Sequence, residues 1–483
     1  MTFPQVISRL PRLRLSEVST TDGAKCVHLV GICGAGMKAL AEMLLDLGWS
    51  VSGSDLQQTT AIRDLEQRGL RFHCGHDLML LGPDVDVLVY TSAVKADNPE
   101  RQRANELHIP QLSYSEMIGS LMKDRTGVCI AGTHGKSSTT SMTASILRSA
   151  GVSHSAIVGA ELCDTGSSGW SQGEPLLVVE SCEYQRNFLE YSPQFAAILG
   201  VEPDHFDCFA TFEETQRAFA EFAESVPQDG MVLVRDDCGH AADVVKNCKA
   251  TVKTFSSVPE SNWWAADLRK TTGVIRFRVF HEQQFFTEIS LQQPGRHNML
   301  NALAATALCH SLGVSADAIR EALHEYRGIR RRFEMRGSWR GATLIDDYAH
   351  HPTAVQATLK AARDQFQNRR ITCAFQPHQE SRTTALMDEF AASFDLADNV
   401  LLLPIFAARE SDGDGSSRVI QELAERIERR GRKIQVIATL DDLIATLEDE
   451  TLPGDVLITM GAGNIDRVQD EFTRRLRRHH RAG

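Results

Sequence analysis

The sequence contains no run of about 18 apolar residues, the least a membrane-spanning helix needs. It also lacks, at its start, the basic-then-apolar pattern of a secretory leader, so a cytoplasmic protein with no membrane insertion is expected. No CxxC pair occurs among its eleven cysteines, and their number is odd, which favours reduced thiols over a disulfide framework. Basic charge is short as well: 51 Lys and Arg face 63 Asp and Glu, a formal net charge of −12. A nucleic-acid binder needs clustered cations for its phosphate contacts. The one basic cluster, Arg474-Arg475-Leu476-Arg477-Arg478, reads better as a solvated helix end, so no nucleic-acid partner is expected. Internal repeats and low-complexity tracts are absent.

What is present is ordinary globular composition, 42% hydrophobic and 24% charged over 483 residues. At about 150 residues per domain this suggests roughly three domains, each able to bury a core without staples. The first part runs to about Asp124. Cys26 to Val30 reads as a buried strand, ending in Gly31-Ile32-Cys33-Gly34-Ala35-Gly36. A helix follows, with Met37, Leu40, Ala41, Leu44 and Leu45 on one face, until Gly48 stops it. Strands are predicted next at Ser50 to Asp55 and at Val85 to Tyr90, an alternation that implies a parallel α/β sheet. The second part opens on the strand Gly127 to Ala131 and a helix through about Ala150. Apolar strands follow at Leu176 to Val179 and Phe195 to Leu199, and Val274 to Val279 alternates as a half-exposed antiparallel strand does. The third part begins near Phe333, with strands at 343–345, 371–375, 400–403 and 456–458 between helices. Pro352 suits a first helical position there, and the polar run 410–417 reads as a surface loop.

The strongest local signal is Gly132-Thr133-His134-Gly135-Lys136-Ser137, with Ser138 following. A strand, a glycine-rich turn and a helix aim backbone N–H groups and the helix dipole at phosphate. The lysine reaches the terminal phosphates and the next hydroxyl binds Mg²⁺. The standard P-loop pattern asks for glycine where Ile130 stands. A purely structural corner has no use for a lysine–serine pair, so ATP binding is the better reading, with Lys136 expected as an exposed loop residue. Glu180 and Asp204-His205-Phe206-Asp207 end later strands, and in a parallel sheet such ends converge on the phosphate loop's edge. Each alone reads as a cap or turn, but together they suit Mg²⁺, which takes oxygen ligands and tolerates one imidazole.

Gly31 to Gly36 with Asp55, an acid 19 residues beyond Gly36, imitates a dinucleotide fingerprint, but Cys33 occupies the second glycine position. A nucleotide-diphosphate site fits better than NAD. Gly295-Arg296-His297-Asn298 with Asn301 starts a helix and offers groups that read a purine edge, although asparagine there also serves as a cap. Asp346-Asp347-Tyr348-Ala349-His350-His351-Pro352 ends the third part's first strand, suggesting a polar cleft. Gln376-Pro377-His378-Gln379 with Arg382 ends the next, and Gly461-Ala462-Gly463-Asn464 a later one.

In this order, Gly132 to Lys136, Asp204-His205, Gly295 to Asn298, Arg331-Arg332-Phe333 and Asp347 to Pro352 resemble the muramyl ligases, from about His28 to Asn464. The resemblance implies an α/β chain of three domains: a Rossmann-like UDP-sugar domain over 1–124, a P-loop-type ATPase domain with antiparallel additions over 125–332, and an amino-acid-binding dinucleotide-fold domain over 333–483. It implies that ATP phosphorylates the lactyl carboxylate of UDP-N-acetylmuramate and that an amine then attacks the acyl phosphate. Gly34-Ala35-Gly36-Met37 and Tyr90 to Val94 with Asn98-Pro99 point to the branch using free L-alanine rather than a recycled tripeptide. A non-catalytic nucleotide-binding relative is the alternative of another class, and the joint retention of Lys136, Ser137, Glu180 and His205 argues against it.

By matching position, the resemblance gives ATP to Gly132–Ser138, His297, Asn298, Asn301 and Arg332, and Mg²⁺ to Ser137, Glu180 and His205. Gly34, Gly36, Asp55, His76 and Ser92 are expected to line the UDP-sugar site. Asp347, His350 and His351 are expected to face the acyl phosphate, and Tyr348, His378 and Arg382 the amino acid. The acid-rich run usual after the residue matching Glu180 is here Ser181-Cys182-Glu183-Tyr184-Gln185. Gln379 stands where relatives often carry arginine, and no lysine soon after Asp207 matches the carbamylated residue of some relatives. A monomer or homodimer is expected.

Overall fold

The alternation of short apolar strands with amphipathic helices resolves into three separate sheets. The computed structural model describes residues 25–173, 175–271, 273–407 and 416–482. The loop expected over 410–417 lies almost wholly outside them, as do the side chains of the last three residues of the basic cluster. Arg474 and Arg475 both pair with Glu471, as a solvated helix end would.

The first sheet has five parallel strands in the order Arg71–Cys74, Ser50–Asp55, Cys26–Val30, Val87–Tyr90, Gln111–Ser113. Helix Ala35–Asp46 covers it with the face its spacing predicted, burying Met37, Leu40, Ala41 and Leu44. The same helix is welded to the second unit. The Glu42 carboxylate accepts from Ser168 N at 2.8 Å, Ser168 Oγ at 3.0 Å and Gly169 N at 2.6 Å. A side chain on Gly169 would come within 1.9 Å of the Ala39 carbonyl, so only glycine permits this approach.

The second sheet holds ten strands. Its parallel centre runs Met231–Arg235, Pro193–Ile198, Thr126–Ala131, Leu176–Glu180, His154–Ile157. Val274–His281 pairs antiparallel on both sides, with Trp263–Thr271 and Gln284–Leu291, which is the alternating strand read from the sequence. Helices Lys136–Ser149 and Arg296–Ser311 pack together over the same hydrophobic cluster.

The third sheet runs Glu334–Trp339, Ala342–Asp347, Val456–Met460, Ile371–Phe375, Asn399–Leu402, Lys433–Val436, parallel except for its first strand. Pro352 opens helix Pro352–Gln365, as the sequence suggested, and His351 caps it. The chain is thus three α/β units, as predicted. Among the described residues no helix is long and apolar enough to cross a membrane.

Candidate active site

Most residues singled out from the sequence fall at or just beyond a strand's C-terminal end or in a helix's first turn, where backbone donors are unpaired; Arg332, before strand Glu334–Trp339, and Asn301, in the second turn of its helix, are the exceptions. Strand Thr126–Ala131 breaks at Gly132 (φ 137°) and Gly135 (φ 81°), conformations open to glycine, and helix Lys136–Ser149 begins at once. Asn301 Oδ1 lies so near Gly135 that an added Cβ would meet it at 2.4 Å, which places helix Arg296–Ser311 directly against the loop. On that helix Asn301 Nδ2 donates to Asn298 Oδ1 at 3.2 Å, and Asn298 Nδ2 to the Pro294 carbonyl at 2.8 Å. Burial, then the nearby Arg332 charge, push His297 down to about 4, so it is neutral. Thr133 Oγ1 is tied to the Glu202 backbone, accepting from its N–H at 2.9 Å. His134 lies 3.4 Å from the Glu202 carboxylate.

Lys136 is not the exposed loop lysine the sequence suggested. Its Nζ donates to Glu183 at 2.9 and 3.1 Å, to the Gly132 carbonyl at 2.6 Å and to the Thr133 carbonyl at 3.3 Å. Burial by itself would lower its pKa, but the Glu183 carboxylate reverses this and raises it to about 12. Glu183 is 1% exposed; burial opposes its charge, while Lys136 and then His205 pull it down to about 2. Sequence reasoning passed over Glu183 as part of an atypical run, although an acid three residues beyond a strand-end acid was a usable signal.

Ser137 Oγ donates to Glu180 at 2.9 Å, and Glu180 also accepts from Gly159 N at 2.6 Å. His205 Nε2 stands 3.6 Å from Glu183, not on Glu180, and its backbone is left-handed at φ 55°, a conformation that costs a non-glycine residue about 1 kcal/mol or more. Cys182, Glu183 and His205 present ligand-type atoms within 4.8 Å of one another. Two neighbouring corners thus hold the metal-type groups, Ser137–Glu180 and Glu183–His205.

The third unit meets the second in more than one place: Lys270 Nζ donates to Asp364 at 2.5 Å, Ala361 packs near Gly295, and each residue of the strip Glu202-Pro203-Asp204 makes a contact across. Glu202 accepts from Thr353 Oγ1 at 2.7 Å, the Pro203 carbonyl accepts from His351 Nε2 at 3.3 Å, and Asp204 accepts from Arg382 Nε at 2.7 Å. The last pair is buried on both sides, at 7% and 2% exposed. Burial opposes the Asp204 charge, but the Arg382 guanidinium holds its carboxyl well below the usual range. Burial, then the His134 charge, push His351 down to about 4. The His134 and His351 rings lie 4.6 Å apart across the seam.

Around Arg382 stand the other residues expected at the amino acid. Arg382 Nη1 is 3.3 Å from His378 Nδ1, the His378 ring is 5.7 Å from His350, and His350 is 5.2 Å from Tyr348. His350 Nδ1 donates to the Tyr348 carbonyl at 2.8 Å; burial, then Arg382, push its pKa well below the ordinary value and keep it neutral. Arg332 lies over the Tyr348 ring at 4.9 Å. Asp347, expected to face the acyl group, is held by three donors. Its oxygens accept from Phe333 N at 2.9 Å, Ala349 N at 2.7 Å and Thr358 Oγ1 at 3.1 Å. A buried carboxylate must be saturated by donors, and Asp347 thereby holds the Tyr348–His351 loop in shape.

In the first unit Gly34 precedes helix Ala35–Asp46, and Asp55 accepts from Cys33 N at 2.9 Å and Leu56 N at 2.7 Å, closing the glycine turn. The acid that imitated a dinucleotide fingerprint is therefore engaged by the turn itself. His76 Nδ1 lies 2.9 Å from Glu100, which is wholly buried and also takes His28 at 2.7 Å and Ser54 Oγ at 2.8 Å. Glu100 had no sequence signal, since its helix Pro99–Glu106 reads as a polar surface helix. Ser92 is exposed beyond strand Val87–Tyr90.

Comparison with known proteins agrees with this geometry. Three family descriptions match in chain order: Mur ligase family, catalytic domain, over residues 26–126; Mur ligase middle domain over 130–309; and Mur ligase, glutamate ligase domain, over 331–463. The chain is 38% identical over 452 residues to the UDP-N-acetylmuramate–L-alanine ligase of Caldanaerobacter subterraneus subsp. tengcongensis, covering 93% of this chain and 97% of that one. It is also 38% identical to the enzyme of that name from Acetivibrio thermocellus, covering 93% and 95%. Among solved structures, the UDP-N-acetylmuramate–alanine ligase of Thermotoga maritima superposes with a TM-score of 0.79 at 26% identity, over 95% of this chain and 100% of that one. A murein peptide ligase of Psychrobacter arcticus shares the fold, with a TM-score of 0.71 at 24% identity over 94% and 99%. With these matches spanning all three units and the phosphate loop at their centre, the chain belongs to the Mur ligase family of ATP-dependent, amide-forming ligases.

Proposed function

We propose that this chain joins L-alanine to the lactyl carboxylate of UDP-N-acetylmuramate in peptidoglycan precursor synthesis, with ATP as phosphoryl donor. The observation that carries the reading is the convergence of Lys136 and Ser137, at one helix N-terminus, with the Tyr348–His350–His378–Arg382 cluster across the Glu202–Asp204 seam. Relatives 37–38% identical over most of the chain are named UDP-N-acetylmuramate–L-alanine ligases, which supports the same substrates. Residues 1–124 are assigned to the UDP-sugar, 125–332 to ATP and 333–483 to the amino acid.

In this mechanism the lactyl carboxylate oxygen attacks the terminal phosphorus and the bond to ADP breaks. The amine of alanine then attacks the acyl carbon and phosphate leaves. Lys136 and the N–H groups of Gly132–Ser138 hold the phosphates as charge shifts to ADP; one positioned donor of this kind is worth roughly 2.7–4 kcal/mol of barrier. His297, Asn298 and Asn301 are assigned to the adenine side and Arg332 to the phosphates. Ser137 and Glu180 are hard oxygen donors 2.9 Å apart and fit Mg²⁺, with His205 the third proposed ligand. The ion supplies neutralisation of phosphate charge when bound. His350, neutral and with Nδ1–H engaged by the Tyr348 carbonyl, leaves Nε2 to accept a hydrogen bond from the incoming amine. Gly34, Gly36, Asp55, His76 and Ser92 are assigned to the sugar nucleotide.

The test is phosphate release with UDP-N-acetylmuramate and a panel of amines. L-Alanine should be fastest, with glycine and L-serine measurable but slower, because one methylene is worth only about 1–3 kcal/mol of discrimination. Turnover with L-Ala-γ-D-Glu-meso-diaminopimelate and none with L-alanine overturns the amine assignment. No turnover with any amine overturns the acid substrate as well.

A further inference from the structure

A further set of metal-type side chains lies on the seam between the second and third units, and no step of the reaction uses the His134 imidazole or the Glu202 carboxylate. His134 sits in the phosphate loop, Glu202 beyond strand Pro193–Ile198, and His351 at the cap of helix Pro352–Gln365. Each presents one ligand-type atom, and the three atoms lie within 4.8 Å of one another. The first two are preset by the fold. Thr133 Oγ1 accepts from the Glu202 N–H at 2.9 Å and donates to the Glu202 carbonyl at 3.3 Å, which ties the Glu202 backbone to the loop that holds His134. The third comes from the other unit.

The spacing of the preset pair is long for a hydrogen bond and right for a shared ion. His134 Nε2 stands 3.4 Å from the Glu202 carboxylate, and among the described residues this buried nitrogen has no hydrogen-bond partner. Two ligands held tetrahedrally by zinc at about 2.0–2.1 Å lie about 3.3–3.4 Å apart. The His351 ring is 4.6 Å from that of His134. Its Nδ1 is 3.4 Å from Thr353 N and its Nε2 3.3 Å from the Pro203 carbonyl, both long contacts that a metal bond replaces at little cost. Burial opposes the Glu202 charge, but His134 pulls its carboxyl down to about 2, so the set offers an anion beside the neutral His351. The neighbouring corners differ. Ser137 and Glu180 offer only oxygen, which suits Mg²⁺. At Cys182, Glu183 and His205, Lys136 already neutralises the carboxylate at 2.9 and 3.1 Å. Burial, then the Glu183 charge, push the Cys182 thiol up to about 12, so it stays protonated and is a poor ligand.

We propose that His134, Glu202 and His351 form a site for a divalent cation of the zinc class, bound between the phosphate loop and the third unit. Three protein ligands leave the fourth tetrahedral position to water. An ion there bonds the loop of one unit to the cap of helix Pro352–Gln365 in the other, and so holds the seam together. Mg²⁺ is disfavoured by ligand type, since it asks for oxygen in octahedral array and two of the three donors are imidazoles. The site does not depend on which acid or amine reacts.

The test is titration of the full, untagged chain with Co²⁺, followed by competition with Zn²⁺. One equivalent of Co²⁺ should give the visible bands of an ion with nitrogen and oxygen ligands and no thiolate-to-cobalt band. Zn²⁺ should displace it, and excess Mg²⁺ should not. Glu202→Gln keeps an oxygen for Thr353 Oγ1 and removes the anionic ligand. This variant and His134→Ala should each weaken Zn²⁺ binding at least about 10-fold, since loss of even an outer-shell partner of a metal costs that much. Cys182→Ser, at the neighbouring corner, should bind as the parent does. With free Zn²⁺ at about 100 times its dissociation constant, the parent should melt about 3 °C or more higher, and Glu202→Gln should gain clearly less at the same concentration. Absence of stoichiometric binding, a thiolate band, or an affinity that Glu202→Gln and His134→Ala leave intact overturns the proposal.

Discussion

Replacing Glu183 by glutamine should expose how much of the resting site depends on one ion pair. The side chain is 1% exposed and accepts from Lys136 Nζ at 2.9 and 3.1 Å, with His205 at 3.6 Å. Its carboxyl titrates near 2 rather than 4.5, which makes the ionised form worth roughly 3 kcal/mol to the fold above pH 4.5. Breaking a buried pair by removing one partner costs roughly 3–5 kcal/mol by an independent route, and the amide oxygen retained by glutamine favours the lower end. For a unit of about 200 residues that is a fall of roughly 6–12 °C in melting temperature at pH 7, read by differential scanning calorimetry. The acid limb should change as well. The native protein loses this contribution as pH falls from 4.5 through about 2, whereas Glu183→Gln has nothing there to lose. On the alkaline side Lys136 contributes fully below 10.5 and fades as pH rises through about 12. In the double variant Glu183→Gln/Lys136→Met the two losses should fall short of additive by at least about 2 kcal/mol, since the uncompensated buried charge is gone. A melting temperature within 2 °C or so of the parent, or full additivity, refutes the pair as a structural element.

Arg382→Ala and Asp204→Ala should behave alike: each leaves one buried charge unpaired, so each should cut kcat at least about 10-fold and enlarge the radius of gyration in X-ray scattering, and the double variant should be little worse than either. His351 titrates near 4 in the fold and about 6.5 outside it, so it stabilises above pH 6.5 and that share is lost as pH falls toward 4; His351→Asn, which still caps the helix, should flatten this part of the melting-temperature profile, and an unchanged slope excludes the assignment. His205→Ala should raise the Mg²⁺ concentration for half-maximal phosphate release several-fold, and an unshifted Mg²⁺ curve would leave His205 only its contact with Glu183.

The sequence by itself determined the parts whose signals are local. Gly132 and Gly135 adopt the positive φ that the phosphate loop requires, Pro352 opens its helix, and Val274–Val279 alternates as it was read, within strand Val274–His281. The run of motifs also carried the family, because each motif needs only a few consecutive residues to be recognisable. Only the tertiary structure decided which acid meets which base. Lys136 and His205 take Glu183 rather than Glu180, since the turn after Leu176–Glu180 brings the second acid, not the first, over the lysine. Arg382 meets Asp204 across 178 residues, and Glu100 lies beneath His76 from a helix with a polar pattern. Such pairings follow from the order of strands in three sheets and the packing of one unit on the next. A short stretch of sequence contains no record of either, because the partner's position is set by chain far removed from it.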